Sequence, residues 1–288
     1  MRYKPGKDPL MRAATRTRYQ GSSKTRTNHL REVHQFLKDL RNQGLGVKKW
    51  DNVTNKHVGA VVKSWQDRGL ETKTIKEYLS GVRATAEANG NNSIHKANSA
   101  FGLENIKYVK NIDKSMHDAK LTSIMKNLKA GGNHEIRVAA QLGLCRHLGL
   151  RHEEARKFNP SRDVLPDGRV HVAAGAKGGK ERVLSEISPE GRNAIENARS
   201  VAGTGSMIPP DMRDSQWEKK GYKILEKAGA NKKYEKFHSA RHAYAQLRYE
   251  QLTGFKCRVK YESKEAFAQA AIEARGEDWK DYDKSARG

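Results

Sequence analysis

The sequence predicts a two-domain, mainly α-helical protein with one small antiparallel β-sheet. Its 288 residues are enough for two domains that each bury a core of their own. Apolar residues recur every three to four positions through most of the chain, which is the pattern of amphipathic helices. One stretch, residues 169–187, alternates instead between apolar and polar residues on both sides of a glycine-rich turn, as a hairpin does.

The first 105 residues are predicted to form an arm followed by a helical bundle. Residues 1–24 are rich in Lys, Arg and Gly and show little apolar periodicity, which indicates a basic, extended N-terminal arm. Residues 25–105 contain three amphipathic helices with short loops, followed by one more short helix near 95–100, which is typical of a small bundle. The apolar stripes that predict its core are Leu30, Val33, Leu37 and Leu40, then Val58, Val61, Val62 and Trp65, then Ile75, Leu79, Val82 and Ala86.

A linker over residues 102–114 is predicted to lead into a second domain, residues 106–288. An unusually apolar helix near 135–148 is expected to lie at the centre of this domain. Strands are predicted at 169–174 and 182–187, joined by the glycine-rich turn. The other predicted helices cover residues 115–128, a segment starting after Ser188, and residues 215–228, 239–252 and 263–274.

The charge of the chain points to a polyanionic partner. Lys and Arg number 56 against 33 Asp and Glu, a net charge of +23. This excess is the electrostatic footprint of nucleic-acid binding, although charge alone does not separate DNA from RNA. No apolar run is long enough to span a membrane and no secretory signal begins the chain, so a cytoplasmic protein is expected. The two cysteines, Cys145 and Cys257, are too far apart and too few to predict a disulfide framework or a zinc site.

Three short segments of the second domain carry candidate chemistry. In GLRHEEAR, Arg151 stands at a helix start and Glu154 follows one turn later. In AKGGKERV, Lys177 lies in the hairpin turn, and in FHSARHAYA, His238 precedes Arg241 by three residues. Taken singly, each has an ordinary structural interpretation: a surface ion pair, a solvated lysine, and a capping or core histidine.

In this order, the three segments resemble the arginine, lysine and histidine-x-x-arginine motifs of the tyrosine recombinases, the family of phage-type integrases. The helices NHLREVHQFLKDL and ETKTIKEYLSGVRATAE resemble that family's core-binding domain, so the resemblance covers residues 25–255. It implies a helical core-binding domain and an α+β catalytic domain that clamp double-stranded DNA. It also implies a mobile-element integrase that is cytoplasmic and nucleoid-associated, forms a homotetramer in the synaptic complex, and works with DNA-bending or excisionase accessory proteins.

The resemblance also implies a role for each candidate residue. A tyrosine oxygen attacks the DNA phosphate and forms a 3′-phosphotyrosyl intermediate, so that no cofactor or metal is needed. Arg151 and Arg241 would clamp the phosphate, because guanidinium groups bind its non-bridging oxygens bidentately. Lys177 would protonate the leaving 5′-oxygen, His238 would transfer a proton or hydrogen-bond the phosphate, and Glu154 would orient Arg151.

The resemblance breaks near the C-terminus. The family continues with a helix that carries a histidine or tryptophan and then the nucleophilic tyrosine, and neither follows Leu252. The segment with the nucleophile is therefore expected to be missing. Tyr282 is the best remaining candidate, although its context does not fit, whereas Tyr244 and Tyr249 are better explained as packing residues on the helix of Arg241.

Three functions follow from these observations. The first is a site-specific DNA recombinase of which this chain binds DNA and does not cleave it. The second is a non-enzymatic DNA-binding regulator or architectural protein derived from a recombinase. The third is a basic RNA-binding protein, although nothing in the sequence resembles an RNA-recognition motif.

Overall fold

The computed structural model describes residues 3–106 and 111–287 and divides the chain into two compact units, Met1–Lys110 and Asn111–Gly288. The sequence predicts the domain boundary after residue 105, inside the predicted linker. Residues 107–110 of that linker lie outside the described residues. Among the described residues, no helix combines the length and the apolar character that a membrane span needs.

The N-terminal unit packs its helices around one apolar core. Its helices are α1 (Pro9–Arg16), α2 (Ser23–Asn42), α3 (Asn55–Asp67) and α4 (Thr72–Ala88). α2 contacts each of the other three. Of the three apolar stripes, every residue except Leu30 is buried, and Leu30 packs against the core while partly exposed. Near residues 95–100 the structure has a 3-10 turn, Asn98–Phe101, where the sequence predicted a short helix.

Residues 9–16 differ from the extended arm predicted for residues 1–24, because they form α1 and pack into the bundle. The Asp8 side chain accepts a hydrogen bond from the backbone N–H of Leu10 at 2.9 Å, and Pro9 occupies the first turn. Leu10 and Ala14, one turn apart, are buried in the core. Two apolar positions at helical spacing therefore order this segment despite its many cations.

The C-terminal unit is built around one apolar helix, α6 (Asn133–His147), as the sequence predicted. Residues 138–145 of α6 are all buried. α6 contacts five other helices: α5 (Asp118–Lys129), α7 (His152–Lys157), α9 (Pro189–Ala202), α10 (Asp214–Lys227) and α11 (Phe237–Thr253). The short α8 (Pro160–Asp163) leads into the hairpin.

The hairpin is shorter than the sequence predicted. Strands β1 (Val170–Val172) and β2 (Arg182–Leu184) pair antiparallel, with Val172 opposite Arg182. A 3-10 turn, Lys177–Gly179, lies between them. Each strand has three residues, because the flanking glycine-rich and serine-rich segments leave the ladder.

The chain continues after α11 into a separate small core. Helices α12 (Lys264–Arg275) and α13 (Trp279–Arg287) follow, near the helical segments that the sequence predicted after Leu252. Their buried centre combines the end of α11 with aromatic residues of α12 and of the loop before it. The buried members are Tyr249, Phe255, Phe267 and Ala271.

Candidate phosphate-binding site

The turn between α6 and α7 positions Arg151. Gly149 in this turn has a φ of +63°, a conformation that residues with side chains rarely adopt. The ring of Tyr244 on α11 lies directly against it, so an added Cβ would overlap the ring. Arg151 then forms the N-cap of α7 with its side chain 40% exposed. The turn therefore needs glycine for two reasons, its backbone conformation and the close approach of α11.

Glu154 is a buried carboxylate that binds two arginines. Its Oε2 accepts a hydrogen bond from the backbone N–H of Arg151 at 2.7 Å, and its Oε1 accepts one from Arg151 Nη1 at 2.8 Å. Both oxygens also accept from the guanidinium of Arg182 on β2, at 2.9 and 2.8 Å. Burial alone would raise the pKa of Glu154, but the hydrogen bonds from Arg182 and Arg151 lower it to about 2. Glu154 is therefore ionised and holds Arg151 in place.

Arg241 reaches the same place from α11. Its Nη1 donates a hydrogen bond to the backbone carbonyl of Gly149. Burial lowers the pKa of Arg241, and the positive charge of nearby Arg151 lowers it further, while Glu154 acts in the opposite direction. Arg151, Glu154 and Arg241 therefore form one cluster, although they come from elements far apart in the sequence.

His238 lies in the first turn of α11, on the exposed side of the cluster. Its ring packs edge-on against the ring of His242, with centroids 4.5 Å apart and planes at 74°. Partial burial lowers the pKa of His238, and the positive charges of Arg241, Arg151 and Lys114 add to the shift. These effects favour the neutral form of the imidazole, which can accept a proton.

The cluster carries more positive than negative charge. Three guanidinium groups, of Arg151, Arg182 and Arg241, surround the single carboxylate of Glu154. The N-terminus of α11, with His238 in its first turn, adds backbone N–H groups and the positive end of the helix dipole. Such an arrangement is suited to bind an oxyanion such as a phosphate.

Lys177 lies in the hairpin turn, which begins beside α7. Gly175, two residues earlier, packs its backbone against Glu153 of α7, where an added Cβ would lie 3.0 Å from the Glu153 carbonyl. The hairpin turn thus begins beside the cluster, and two residues of chain span at most about 7 Å. Lys177 itself is exposed, and within the described residues it makes no hydrogen bond or ion pair.

Tyr282 is not part of the cluster. The guanidinium of Arg275 lies 4.5 Å from the centre of the Tyr282 ring, and Arg275 Nε donates to the carbonyl of Thr253 at 2.6 Å. Thr253 ends α11 twelve residues after Arg241, which is about 18 Å along the helix axis. Tyr282 therefore lies near the opposite end of α11.

The two tyrosines of α11, Tyr244 and Tyr249, serve packing, as the sequence predicted. Tyr244 covers Gly149, and Tyr249 is buried in the small C-terminal core. The hydroxyl of Tyr249 donates to Asp283 Oδ1 at 2.6 Å. Burial and the adjacent carboxylate raise the pKa of Tyr249, so it is a poor nucleophile in this structure.

Sequence reasoning missed three residues around the site. The sequence position of Arg182 could have indicated it as a site residue, because it begins a predicted strand a few residues after Lys177. Nothing in the sequence, however, pairs it with Glu154. The position of His242 could have indicated it as well, since it stands one helical turn after His238. No such signal pointed to Lys114, because it lies in the predicted linker. Within the described residues, no group of three or more His, Cys, Asp or Glu side chains could hold a metal ion.

Two family models match the chain in succession. One, described as the N-terminal domain of phage integrase, matches residues 8–95. The other, described as integrase, matches residues 107–247. The second match includes every cluster residue described above and ends before the small C-terminal core. A search of curated protein sequences returns no match.

Solved structures with a similar fold are also integrases and recombinases. A lambda integrase tetramer bound to a Holliday junction has a TM-score of 0.57 at 16% identity, over 91% of this chain and 75% of that one. The Tn1549 transposon integrase in complex with transposon right end DNA has a TM-score of 0.56 at 12% identity, over 95% and 93%. The XerH site-specific recombinase bound to palindromic difH has a TM-score of 0.51 at 16% identity, over 88% and 73%.

At these identities the structural likeness concerns the fold, while the two family models concern the sequence. Both lead to the same family, and the structural likeness agrees with the mainly helical architecture with a two-stranded antiparallel sheet. The chain belongs to the tyrosine recombinase family of phage-type integrases.

Proposed function

We propose that this protein binds double-stranded DNA and holds one backbone phosphate in the cluster of Arg151, His238 and Arg241. The observation that carries the proposal is the surplus of positive charge around Glu154. The cluster is open to solvent on the side of Arg151, whose side chain is 40% exposed. The net charge of +23 supports a DNA partner, because neutralising phosphates releases counterions. The solved relatives bound to DNA support it as well.

The chemistry that this cluster serves is site-specific strand exchange. A tyrosine oxygen attacks the phosphorus, the bond to the 5′-oxygen breaks, and a 3′-phosphotyrosyl bond forms. Arg151 and Arg241 stabilise the charge on the non-bridging oxygens, which grows in the transition state. Neutral His238 accepts the tyrosine proton, and Lys177 protonates the leaving 5′-oxygen once its hairpin closes over the bound phosphate.

The described residues supply phosphate binding and positioning, and Tyr282 does not supply the nucleophile. The position of Tyr282 near the far end of α11 argues against Tyr282 as the nucleophile, because about 18 Å of helix separates that end from Arg241. The same observation favours the second candidate function, a DNA-binding regulator or architectural protein that has kept the phosphate site and does not cut. By analogy with the lambda integrase tetramer, the assembly on DNA is a homotetramer.

A covalent-adduct assay on a selected duplex separates these functions. Duplexes that the protein retains from a random-sequence pool give the binding site, and nicked versions of that site trap any phosphotyrosyl adduct. We expect strong duplex binding that weakens steeply as salt rises, with no adduct from this chain.

Three results would contradict the proposal. An adduct that is lost in Tyr282→Phe would make Tyr282 the nucleophile. A nearly flat salt response would exclude a phosphate-based interface. Tighter binding to RNA of the same sequence, unaffected by Arg151→Ala and Arg241→Ala, would favour an RNA-binding protein.

A further inference from the structure

The segment that enters the C-terminal unit is fastened along α11. Asp113 Oδ1 accepts a hydrogen bond from Gln246 Nε2 at 2.7 Å, and its Oδ2 lies 2.6 Å from Lys260 Nζ. Three residues later, the backbone N–H of Met116 donates to the carbonyl of Ser239 at 3.0 Å. Gln246 and Ser239 are seven residues apart on α11, so residues 113–116 run along two turns of this helix.

Lys114 lies between these two fastening points. The stretch of α11 that it passes carries His242. His238 lies one residue before that stretch, and the rings of the two histidines are in contact on one face of the helix. Its side chain is half-buried, and its positive charge contributes to lowering the pKa of both imidazoles. The backbone path therefore places Lys114 alongside the part of α11 that carries His242, and its positive charge acts on both imidazoles.

The charge of Lys114 is not balanced by a carboxylate. In the part of the chain that the structure describes, Lys114 takes part in no ion pair or side-chain hydrogen bond, and the adjacent Asp113 is engaged by Gln246 and Lys260. Arg151 and Arg241, the other charges acting on His238, are positive as well. Holding one more cation here costs electrostatic free energy, which an anion bound at the cluster would recover.

We propose that Lys114 is a further phosphate-binding residue, which extends its ammonium to the DNA backbone phosphate held by Arg151 and Arg241. The inference rests on the proposed function, because it assigns one more ligand to the same phosphate. The two fastening points hold the Lys114 backbone against α11. A DNA phosphate that enters the cluster therefore meets three cations from three separate segments: the entering chain, the α6–α7 turn and α11.

The first test compares DNA binding over a range of salt concentrations. Lys114→Met should remove about one unit from the slope of log affinity against log salt, as the loss of one phosphate contact does. Lys114→Arg should keep the slope. The matched control is Lys120→Met, because Lys120 lies nearby on α5, is similarly exposed and is already paired with Glu235 at 3.7 Å.

The second test locates the ammonium through His238, whose ring signal is followed by NMR as pH changes. The groups that face its ring are Arg241, Arg151, Lys114 and His242. Lys114→Met removes one positive charge, so the titration midpoint of His238 should rise. Lys114→Arg should leave the midpoint low, and Lys120→Met should not change it.

The two readouts together decide the inference. A lower slope with a raised midpoint supports it. A lower slope with an unchanged midpoint would mean that Lys114 contacts DNA away from the cluster. An unchanged slope would exclude Lys114 as a phosphate ligand. Either result overturns the inference. If Arg151→Ala and Arg241→Ala weaken binding while Lys114→Met does not, this inference alone fails. If neither arginine variant changes binding, the proposed function fails.

Discussion

Asp39 in the N-terminal unit and Glu154 in the C-terminal unit are both buried carboxylates that bind arginine. Asp39 accepts hydrogen bonds from Trp65 Nε1 at 2.6 Å, from Gln35 Nε2 at 2.8 Å and from Arg68 Nη2 at 2.8 Å. One arginine balances its one negative charge, and two neutral donors complete its hydrogen bonds. Asp39 therefore ties α2 to α3 and leaves no charge over.

Glu154 differs from Asp39 in the charge around it. Arg151 and Arg182 both bind the carboxylate, and Arg241 stands close enough to act on both Arg151 and Glu154. One arginine paired with one carboxylate is typical of a structural contact. A surplus of fixed cations around one carboxylate is instead suited to bind a negatively charged ligand. Charge balance, more than burial, therefore distinguishes the two sites.

We expect the largest effect from removing Glu154, the carboxylate around which the surplus of positive charge is grouped. Glu154→Ala leaves Arg151 and Arg182 partly buried without their partner, which should lower the free energy of unfolding by about 3–5 kcal/mol. Urea unfolding followed by circular dichroism measures this change. A loss below about 1 kcal/mol would show that water replaces the carboxylate at little cost, and Glu154 would not be the organising residue of the cluster.

A second comparison uses one glycine from each unit. Gly149→Ala combines a positive φ with overlap on Tyr244, so it should cost about 2–4 kcal/mol of unfolding free energy. Gly69→Ala, after α3, has a φ of +72° and no atom within 4 Å of the added Cβ. It should cost only about 1 kcal/mol. Equal losses in the two variants would show that α11 can move away from the turn.

The third comparison tests Asp39, the carboxylate whose charge one arginine balances. Asp39→Ala leaves the buried Trp65 N–H without its acceptor, which should cost about 1–3 kcal/mol of unfolding free energy. DNA affinity of the folded protein, measured by fluorescence anisotropy, should stay within twofold of the parent. A large loss of DNA affinity with the fold intact would make Asp39 part of a DNA-binding site. Charge balance would then not distinguish a structural carboxylate from one at a binding site.

The last comparison concerns pH. The pKa of Glu154 lies near 2 in the folded protein, against an ordinary value of 4.5. Its contribution to stability is therefore complete above about pH 4.5 and is lost as pH falls towards 2, because only the unfolded chain binds the proton in that range. The difference in unfolding free energy between the parent and Glu154→Gln should shrink over this range. A constant difference would mean that the pKa of Glu154 is the same in the folded and the unfolded protein, so that the arginines do not stabilise its charge.

The sequence predicted the fold where apolar spacing dominates. The three stripes of the N-terminal bundle and the buried helix α6 are present because burial of these side chains decides the packing. Residues 9–16 were predicted wrongly, because the many cations outweighed the helical spacing of Leu10 and Ala14. Apolar periodicity is a dependable signal here, whereas local charge says little about order.

The site was predictable only as far as its motifs reach. GLRHEEAR and HSARHAYA indicated Arg151, Glu154, His238 and Arg241, and the structure brings these side chains to one place. Arg182 and Lys114 were not predicted as members of it, because their roles depend on strand register and on how the entering segment lies along α11. Such long-range contacts leave no periodic trace in a single sequence.

The most direct test of the account is binding of orthovanadate, a phosphate mimic, followed by the NMR signals of His238 and of the arginine Nε–H groups. If the cluster binds phosphate, the signals of His238 and Arg241 should shift together with one dissociation constant. Arg151→Ala or Arg241→Ala should weaken binding at least tenfold, and Arg68→Ala, which alters only the balanced carboxylate, should leave it unchanged. Equal affinity in all three variants would contradict the phosphate site.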